Sequence, residues 1–303
     1  MNGEVSKHDY INGIYKFHKN LFDYSEFISN TDIQKIEISD NSVIMTSRKL
    51  GLKIFCNKND KRIPPIEILN FDCYEKNDSA MIFNLVDDDF TIFDIGANIG
   101  WYSLALTKLN NTIDIFAFEP VTKTYEILLK NIELNHIHNI YSFNHGFYSK
   151  NTELEFYYNM DGSGNASSKN LMDKKNTQKI KCAVKMLDSF VSTNNIEKID
   201  MIKCDVEGAE LFVFQGAENS IVKFKPIIFA EMLRKWTAKF DYHPNDIIKF
   251  FKNIEYLCFF VTDNELVQIS NIDNDTLSTN FFFLHKEKHA LQISKFCNNI
   301  LNI

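Results

Sequence analysis

The fold turns on Phe90–Leu109, F-T-I-F-D-I-G-A-N-I-G-W-Y-S-L-A-L-T-K-L. Its opening run, Ile92-Phe93-Asp94-Ile95, has the length and the β-branched and aromatic character of a buried strand. Gly96, Asn98 and Gly100 follow within five residues. Beyond them Leu104, Thr107 and Lys108 recur after Trp101 at helical spacing, with no Pro to stop the helix. A strand that turns on glycines into a helix N-terminus makes a nucleotide site. The missing Cβ lets a ligand approach the backbone, and the first helical N–H groups have no intrahelical partner. Asp94 ends the strand, where a carboxylate reaches a ligand lying across the carboxyl edge of the sheet. The spacing is G-x-x-x-G rather than the dinucleotide G-x-G-x-x-G, and Asn98 stands where a middle glycine would be. Asn tolerates left-handed backbone angles, so the turn stays tight. Taken alone, the stretch also fits a strand–turn–helix that only packs.

The next segments extend the pattern. Ile113–Phe118, I-D-I-F-A-F, reads as a second strand closing on Glu119-Pro120. Glu119 falls 23 positions after Gly96, near the offset of roughly 20 at which an acid meets ribose hydroxyls. A carboxylate suits that task because it accepts from both hydroxyls at once. A helix over Thr122–Leu134 then buries Tyr125, Leu128, Leu129 and Ile132. A third strand, Ile140–Phe143, ends at Asn144-His145-Gly146, beside the base of a bound nucleoside in a doubly wound sheet. There His145 either lines an adenine pocket or is a polar loop residue.

A second informative stretch is Ile199–Gly216, I-D-M-I-K-C-D-V-E-G-A-E-L-F-V-F-Q-G. Met201-Ile202-Lys203-Cys204 reads as a strand with Asp205 and Glu207 at its carboxyl end, Gly208 in a tight turn, and a helix through Leu211, Phe214 and Gln215. Two carboxylates opposite the nucleotide loop stand where a substrate is oriented or deprotonated. Glu210 suits the dipole of the helix start. Pro226–Glu231 repeats the form, an apolar strand closing on Glu231. Acids therefore end four strands, at Asp94, Glu119, Asp205 and Glu231.

The chain of 303 residues has room for one large α/β domain and a smaller addition. Hydrophobic residues at 45% and charged residues at 24% are ordinary globular values, which argues against disorder over the whole chain. A net charge of −7 argues against a protein that coats nucleic acid. The cysteines, Cys56, Cys73, Cys182, Cys204, Cys258 and Cys297, are scattered without C-x-x-C or a Cys/His cluster, so no zinc knuckle or disulfide framework is expected. No span reaches transmembrane length and the N-terminus has no signal-peptide core, so a reduced cytoplasmic setting is the expectation.

Residues 1–75 read as a separate piece. Ile11, Ile14, Tyr15, Phe17, Leu21 and Phe22 form one helical face, and alternating segments around Ile36–Ile38, Val43–Met45 and Leu52–Phe55 suggest a small antiparallel sheet turning at Asp40-Asn41. This piece is a cap, or part of a substrate wall or homodimer surface. Residues 76–303 form the main domain. The Gly/Ser-rich Asp161–Ser168 reads as a flexible loop, a position where lids occur. The C-terminal part reads as a helix around Ile247–Phe251, strands at Tyr256–Val261, Leu266–Ile269 and Phe281, and a terminal helix.

F-D-I-G-A-N-I-G, F-E-P-V, I-D-M-I-K-C-D-V-E-G-A-E and K-P-I-I-F-A-E, in order from Phe90 to Glu231, resemble the FkbM family of S-adenosylmethionine-dependent methyltransferases. Asn280–Leu284 resembles the family's last strand. The resemblance implies a Rossmann-like class I methyltransferase fold: a doubly wound, mostly parallel sheet with an antiparallel last strand. It implies O-methylation of a sugar, nucleotide-sugar or surface glycan, with S-adenosyl-L-methionine as cofactor and S-adenosyl-L-homocysteine as product. By the same resemblance the loop from Asp94 to Trp101, with Gly96, Ala97, Asn98 and Gly100, holds the methionine part. Glu119 holds the ribose; His145 and Gly146, at the end of the third strand, are the candidates for the base on the sheet's geometry. Asp205, Glu207 and Glu231 are left near the methyl group, with the identity of the base open among them and no metal expected. His243 reads as a structural residue before Pro244. The rivals are an NAD-dependent oxidoreductase, disfavoured by the G-x-x-x-G spacing, and a non-catalytic nucleoside-binding module.

Overall fold

In the computed structural model the described residues are 6–58, 60–158, 166–171 and 178–297. The first element is helix α1 (Lys7–Phe27), where the Ser6 hydroxyl oxygen accepts from the Asp9 N–H as a cap. An antiparallel sheet follows: β1 (Ile33–Ser39), β2 (Ser42–Ser47) and β3 (Lys53–Cys56). Ser39 pairs with Ser42 around the Asp40-Asn41 turn, and Asn41 takes φ +58° as such a hairpin demands. Helices α2 (Pro64–Phe71) and α3 (Lys76–Leu85) lead into the large sheet.

That sheet is built from β4 (Thr91–Ile95), α4 (Trp101–Leu109), β5 (Asp114–Phe118), α5 (Thr122–Leu134) and β6 (Ile140–Phe143). A small sheet intervenes: β7 (Gly146–Phe147), β8 (Thr152–Tyr158) and β9 (Gln178–Lys185), in the order β7-β9-β8. Then come α6 (Leu187–Thr193), β10 (Met201–Cys204), α7 (Glu210–Gln215), α8 (Glu218–Phe224), β11 (Ile227–Glu231), α9 (Arg234–Thr237), α10 (Pro244–Asn253), β12 (Tyr256–Thr262), β13 (Glu265–Ile269), β14 (Asn280–His285) and α11 (Ala290–Phe296). The large sheet has eight strands in the order β13-β12-β14-β11-β10-β4-β5-β6.

From β6 to β11 the strands run parallel, whereas β14 is antiparallel to both β11 and β12, and β13 is antiparallel to β12. This is the doubly wound sheet with an antiparallel last strand that the resemblance implies. Strand order reverses between β4 and β10, so the crevice for a ligand opens at their carboxyl ends. Every residue of β14 is buried, because a strand inserted between two others is covered on both faces. Fully burying each of Phe281, Phe282 and Phe283 contributes about 1.5–3 kcal/mol.

Alternate residues of the strands feed two core layers. Ile92, Ile115, Met201 and Phe282 pack against α3, α4 and α5. Phe93, Ile202, Ile228 and Phe283 pack against α6, α7, α8 and α10. Within α5, Leu128 is fully buried but Leu129 is 42% exposed, so only one of this expected pair faces the core.

The N-terminal sheet joins the first layer through Ile33, Met45, Leu52 and Ile54. Its edge is satisfied by side chains in α5 and at its C-cap. The Phe55 N–H donates to Asn131 Oδ1 at 2.8 Å, and the Lys53 N–H donates to Asn135 Oδ1 at 2.9 Å. Asn135 returns a bond from Nδ2 to the Lys53 carbonyl at 2.7 Å. Two helix amides thus stand in for a missing strand, which keeps buried backbone groups paired. By contrast, no residue of α1 is buried. None of the six cysteines is joined in a disulfide. Among the described residues no helix is long and apolar enough to cross a membrane. Of the Gly/Ser-rich segment 161–168, residues 161–165 lie outside the described residues, as do 298–303.

Candidate active site

The turn after β4 is held by its neighbours. The Gly96 and Ala97 N–H groups both donate to the Phe118 carbonyl, at 3.0 and 2.9 Å. Gly96 has φ +75°, and a Cβ there would lie 1.9 Å from the Asp205 carbonyl oxygen. Only glycine lets the ends of β4 and β10 approach so closely. Asn98 takes φ +51°, the left-handed conformation expected of it, and Gly100 starts α4 at φ +93°.

Glu119 closes the turn from the next strand. Its Oε2 accepts from the Asn98 N–H at 3.0 Å and its Oε1 accepts from the Val121 N–H at 2.9 Å. Each oxygen keeps a lone pair for a further donor. Burial pushes the carboxyl up to about 7 against the lowering effect of the two N–H donors.

Behind the turn lies a buried cation. Lys203 Nζ sits 3.1 Å from Asp94 Oδ1 and 3.7 Å from Asp205 Oδ2, and donates to the Gly96 carbonyl at 3.0 Å. Burial by itself would lower the ammonium, but Asp94 and Asp205 reverse this and raise it. Asp94 also accepts from the Ser103 hydroxyl at 2.6 Å, which ties the strand to α4. Its carboxylate is buried and fixes the turn from below.

At the end of β10, Glu210 folds back so that its Oε1 accepts from the Val206 and Gly208 N–H groups, each at 3.1 Å. This holds the turn that presents Asp205 and Glu207. Glu207 has φ +54°, and Gly208, at φ +100°, packs where a Cβ would meet the Phe240 ring at 2.9 Å. Asp205, Glu207 and Glu231 each place a carboxylate oxygen within 4.8 Å of the others. All three are raised above the ordinary range. Burial is the first cause in each, and Asp205 adds its charge to Glu207 and Glu231, while Lys203 opposes the shift at Asp205. Glu207 Oε2 is buried with no hydrogen-bond partner. Three hard oxygens so placed could hold Mg²⁺ or a shared proton.

One cavity joins these parts. Of the residues expected at the site, Gly96, Asn98, Glu119, Gly146, Asp205, Glu207 and Glu231 line it. Asp94, Ala97, Gly100, Trp101 and His145 are not on its lining. His145 packs instead among the rings of Phe118, Phe143, Phe147 and Phe190. Its Nδ1 lies 3.2 Å from the Gly146 carbonyl, and burial pushes its pKa down to about 4. His243 caps α10, with its ring nitrogen accepting from the Asn245 N–H and its own N–H donating to Asp246.

The structure adds residues to the expected set. Arg62, Glu67, Tyr74 and Glu75 reach the cavity from the segment before α3, and Tyr148 and Phe156 reach it from the small sheet. Glu75 accepts from the Tyr102 hydroxyl and has φ +43°. Burial pushes it up to about 7 against that hydrogen bond. Lys203 had a readable signal, a charge inside the apolar run M-I-K-C that demands a buried partner. Glu75 and Arg62 had none.

The strand order, with antiparallel β14 inserted between β11 and β12, is that of a Rossmann-like class I methyltransferase fold. The Methyltransferase FkbM domain matches residues 94–258, more than half of the sequence, and the chain belongs to that family. It is 24% identical over 205 residues to Methyltransferase 1 of Beauveria bassiana, covering 62% of this chain and 76% of the relative. It is 25% identical over 151 residues to the Hexuronic acid methyltransferase AglP of Haloferax volcanii, covering 48% of this chain and 58% of the relative. Among solved structures, Methyltransferase FkbM from Methylobacillus flagellatus KT aligns with a TM-score of 0.43 at 16% identity, over 66% of this chain and 44% of that one. Family membership sets the oxidoreductase reading aside.

Proposed function

We propose that this chain transfers a methyl group from S-adenosylmethionine to a hydroxyl of a sugar, nucleotide-sugar or surface glycan. The observation that carries the reading is the cluster of Asp205, Glu207 and Glu231 facing the glycine turn and Glu119 across one cavity. The cavity chemistry fits the cofactor. Six carboxylates line it (Glu67, Glu75, Glu119, Asp205, Glu207 and Glu231), against one guanidinium, Arg62, among the described residues. Such a field favours a sulfonium and an α-ammonium group. Glu119 retains lone pairs for ribose hydroxyls. When bound, S-adenosylmethionine supplies an electrophilic methyl group and leaves as S-adenosylhomocysteine.

The residues of the chain perform the remaining tasks. Gly96 to Gly100 and Glu119 position the donor, and positioning provides much of the rate for an in-line displacement. The acceptor hydroxyl loses its proton to the carboxylate cluster as its oxygen attacks, a role worth roughly 10²–10⁴ in rate. Glu207 and Glu231, raised by burial and by their neighbours, are the members suited to hold that proton. The relative that acts on hexuronic acid supports a sugar acceptor.

The test is a panel of neutral sugars, uronic acids and nucleotide-sugars incubated with S-adenosylmethionine, with S-adenosylhomocysteine read by mass spectrometry. We expect product with a carbohydrate acceptor, and a loss of at least 100-fold in kcat for Glu231→Gln with donor affinity unchanged. Chelation of divalent cations should leave the rate in place. Methylation of a lipid or peptide alone would remove the glycan reading, and no turnover of any acceptor by a protein that binds the donor would favour the binding module.

A further inference from the structure

We infer that Glu75 is the counter-charge for the α-ammonium group of S-adenosylmethionine, an assignment that rests on the donor proposed above. The acid expected to meet the ligand from the end of β4 is sealed away. Asp94 is 2% exposed, its oxygens face Lys203 and the Ser103 hydroxyl, and it does not line the cavity. A cation that enters a partly buried cavity loses hydration, and a fixed charge of opposite sign must offset that loss. The charge has to come from another element.

Glu75 lines the cavity together with Gly96 and Asn98 of the turn. Its carboxylate accepts from the hydroxyl of Tyr102, which stands in the first turn of α4, the helix that leaves that glycine turn. The acid and the turn are therefore held by one element. The hold is firm. Tyr102 is buried, and Ser79 Oγ donates to the Tyr74 carbonyl at 3.0 Å. The Tyr74 ring packs edge-on against Trp101 and Tyr102, with centroids 5.9 and 6.1 Å apart. Glu75 itself takes φ +43°, a left-handed conformation for a residue with a side chain. Such a conformation persists only where its surroundings enforce it, and it clusters at ligand clamps.

Charge points the same way. Asp205 and Asp78 act against the anionic form of Glu75 and each outweighs Lys203, the opposing cation. The Lys203 ammonium is already bound to Asp94 and to the Gly96 carbonyl. Burial, with those two acids, pushes the Glu75 carboxyl up to about 7 against the Tyr102 hydrogen bond. A cation brought by the ligand settles its charged form. The other acids of the lining have work elsewhere. Glu119 is bonded to the turn, Glu67 pairs loosely with Arg62 at 3.9 Å, and Asp205, Glu207 and Glu231 gather where the acceptor proton is proposed to go.

Calorimetric titration of the full chain with two ligands separates this role from a structural one. S-adenosylhomocysteine carries the α-ammonium group, whereas 5′-methylthioadenosine has the same adenosine and sulfur without the amino-acid end. Glu75→Gln keeps an oxygen for the Tyr102 hydroxyl. It should weaken S-adenosylhomocysteine at least tenfold while 5′-methylthioadenosine keeps its wild-type Kd, which also shows that the variant is folded. Glu75→Asp, with the charge on a shorter arm, should recover part of the loss. Equal losses for both ligands would make Glu75 a strut of the cavity wall, and no loss for either would free it from the donor; each result overturns the inference. A folded wild type that binds neither ligand would remove the donor reading itself, and the inference with it.

Discussion

Lys203 and Asp94 face each other in register across β10 and β4, with Nζ 3.1 Å from Oδ1, beneath the turn that carries Gly96. The pair is nearly sealed from water, and the same ammonium binds the Gly96 carbonyl, so one cation fixes two strand ends and the turn above them. Removing one partner of a buried pair leaves an uncompensated charge, which costs about 3–5 kcal/mol. Lys203→Met should lower unfolding free energy by about that amount. Lys203→Met with Asp94→Asn should recover part of it. Urea unfolding of both variants checks this, and a single variant as stable as the wild type would show that the pair does not hold the turn.

Glu119 makes a different kind of prediction, because each of its oxygens already serves a backbone N–H. Gln in its place turns one acceptor into a donor, opposite the N–H of Asn98 or Val121. A buried donor left without a partner costs about 1–3 kcal/mol. Glu119→Gln should therefore weaken S-adenosylmethionine at least tenfold in calorimetric titration while the protein remains folded. An unchanged Kd would take Glu119 out of the donor site.

Much of this frame was legible because parallel strands are apolar on both faces, so Ile92–Ile95, Ile113–Phe118, Met201–Cys204 and Ile227–Glu231 stand out as runs, each with an acid at or just past its end. Depth was less legible. Asp94 and Asp205 look alike at strand ends, yet one is sealed beneath the turn and the other lines the cavity. His145 and Gly146 illustrate the same limit, since a change of one residue exchanges the two faces of an extended chain. The periodicity of α1 announced an apolar face, but periodicity says nothing of what covers it. Glu75 and Arg62 were out of reach because only the packing of the N-terminal segment onto the sheet brings them to the cavity.

The buried acids also govern the response to pH. Glu75, Glu119 and Glu210 are each pushed up to about 7, chiefly by burial, from an ordinary value of 4.5. A carboxyl whose folded pKa exceeds its unfolded one binds more protons in the folded state, so it stabilises the fold at low pH and that contribution is lost as pH rises through the folded value. The ligand-free protein should thus melt at a higher temperature at pH 5 than at pH 8, with most of the change between about 4.5 and 7. Thermal unfolding across that range decides the matter. A melting temperature that rises with pH would mean that these carboxylates are paired more favourably than the fold implies.

Arg62 offers a handle on the acceptor. It is the one cationic side chain lining the cavity among the described residues, and its partner Glu67 is distant at 3.9 Å. A guanidinium recognises a carboxylate or phosphate through paired, charge-assisted hydrogen bonds, whereas a neutral hydroxyl gains far less from it. If the acceptor is an acidic sugar, Arg62→Ala should raise its KM about tenfold or more with kcat nearly intact, and Arg62→Lys should recover only part of the loss because an ammonium lacks the planar fork. Donor affinity should not move in either variant. Steady-state kinetics on a uronic acid beside its neutral hexose gives the comparison. An equal effect on both sugars would place Arg62 in the scaffold of the cavity wall, with no part in choosing the acceptor.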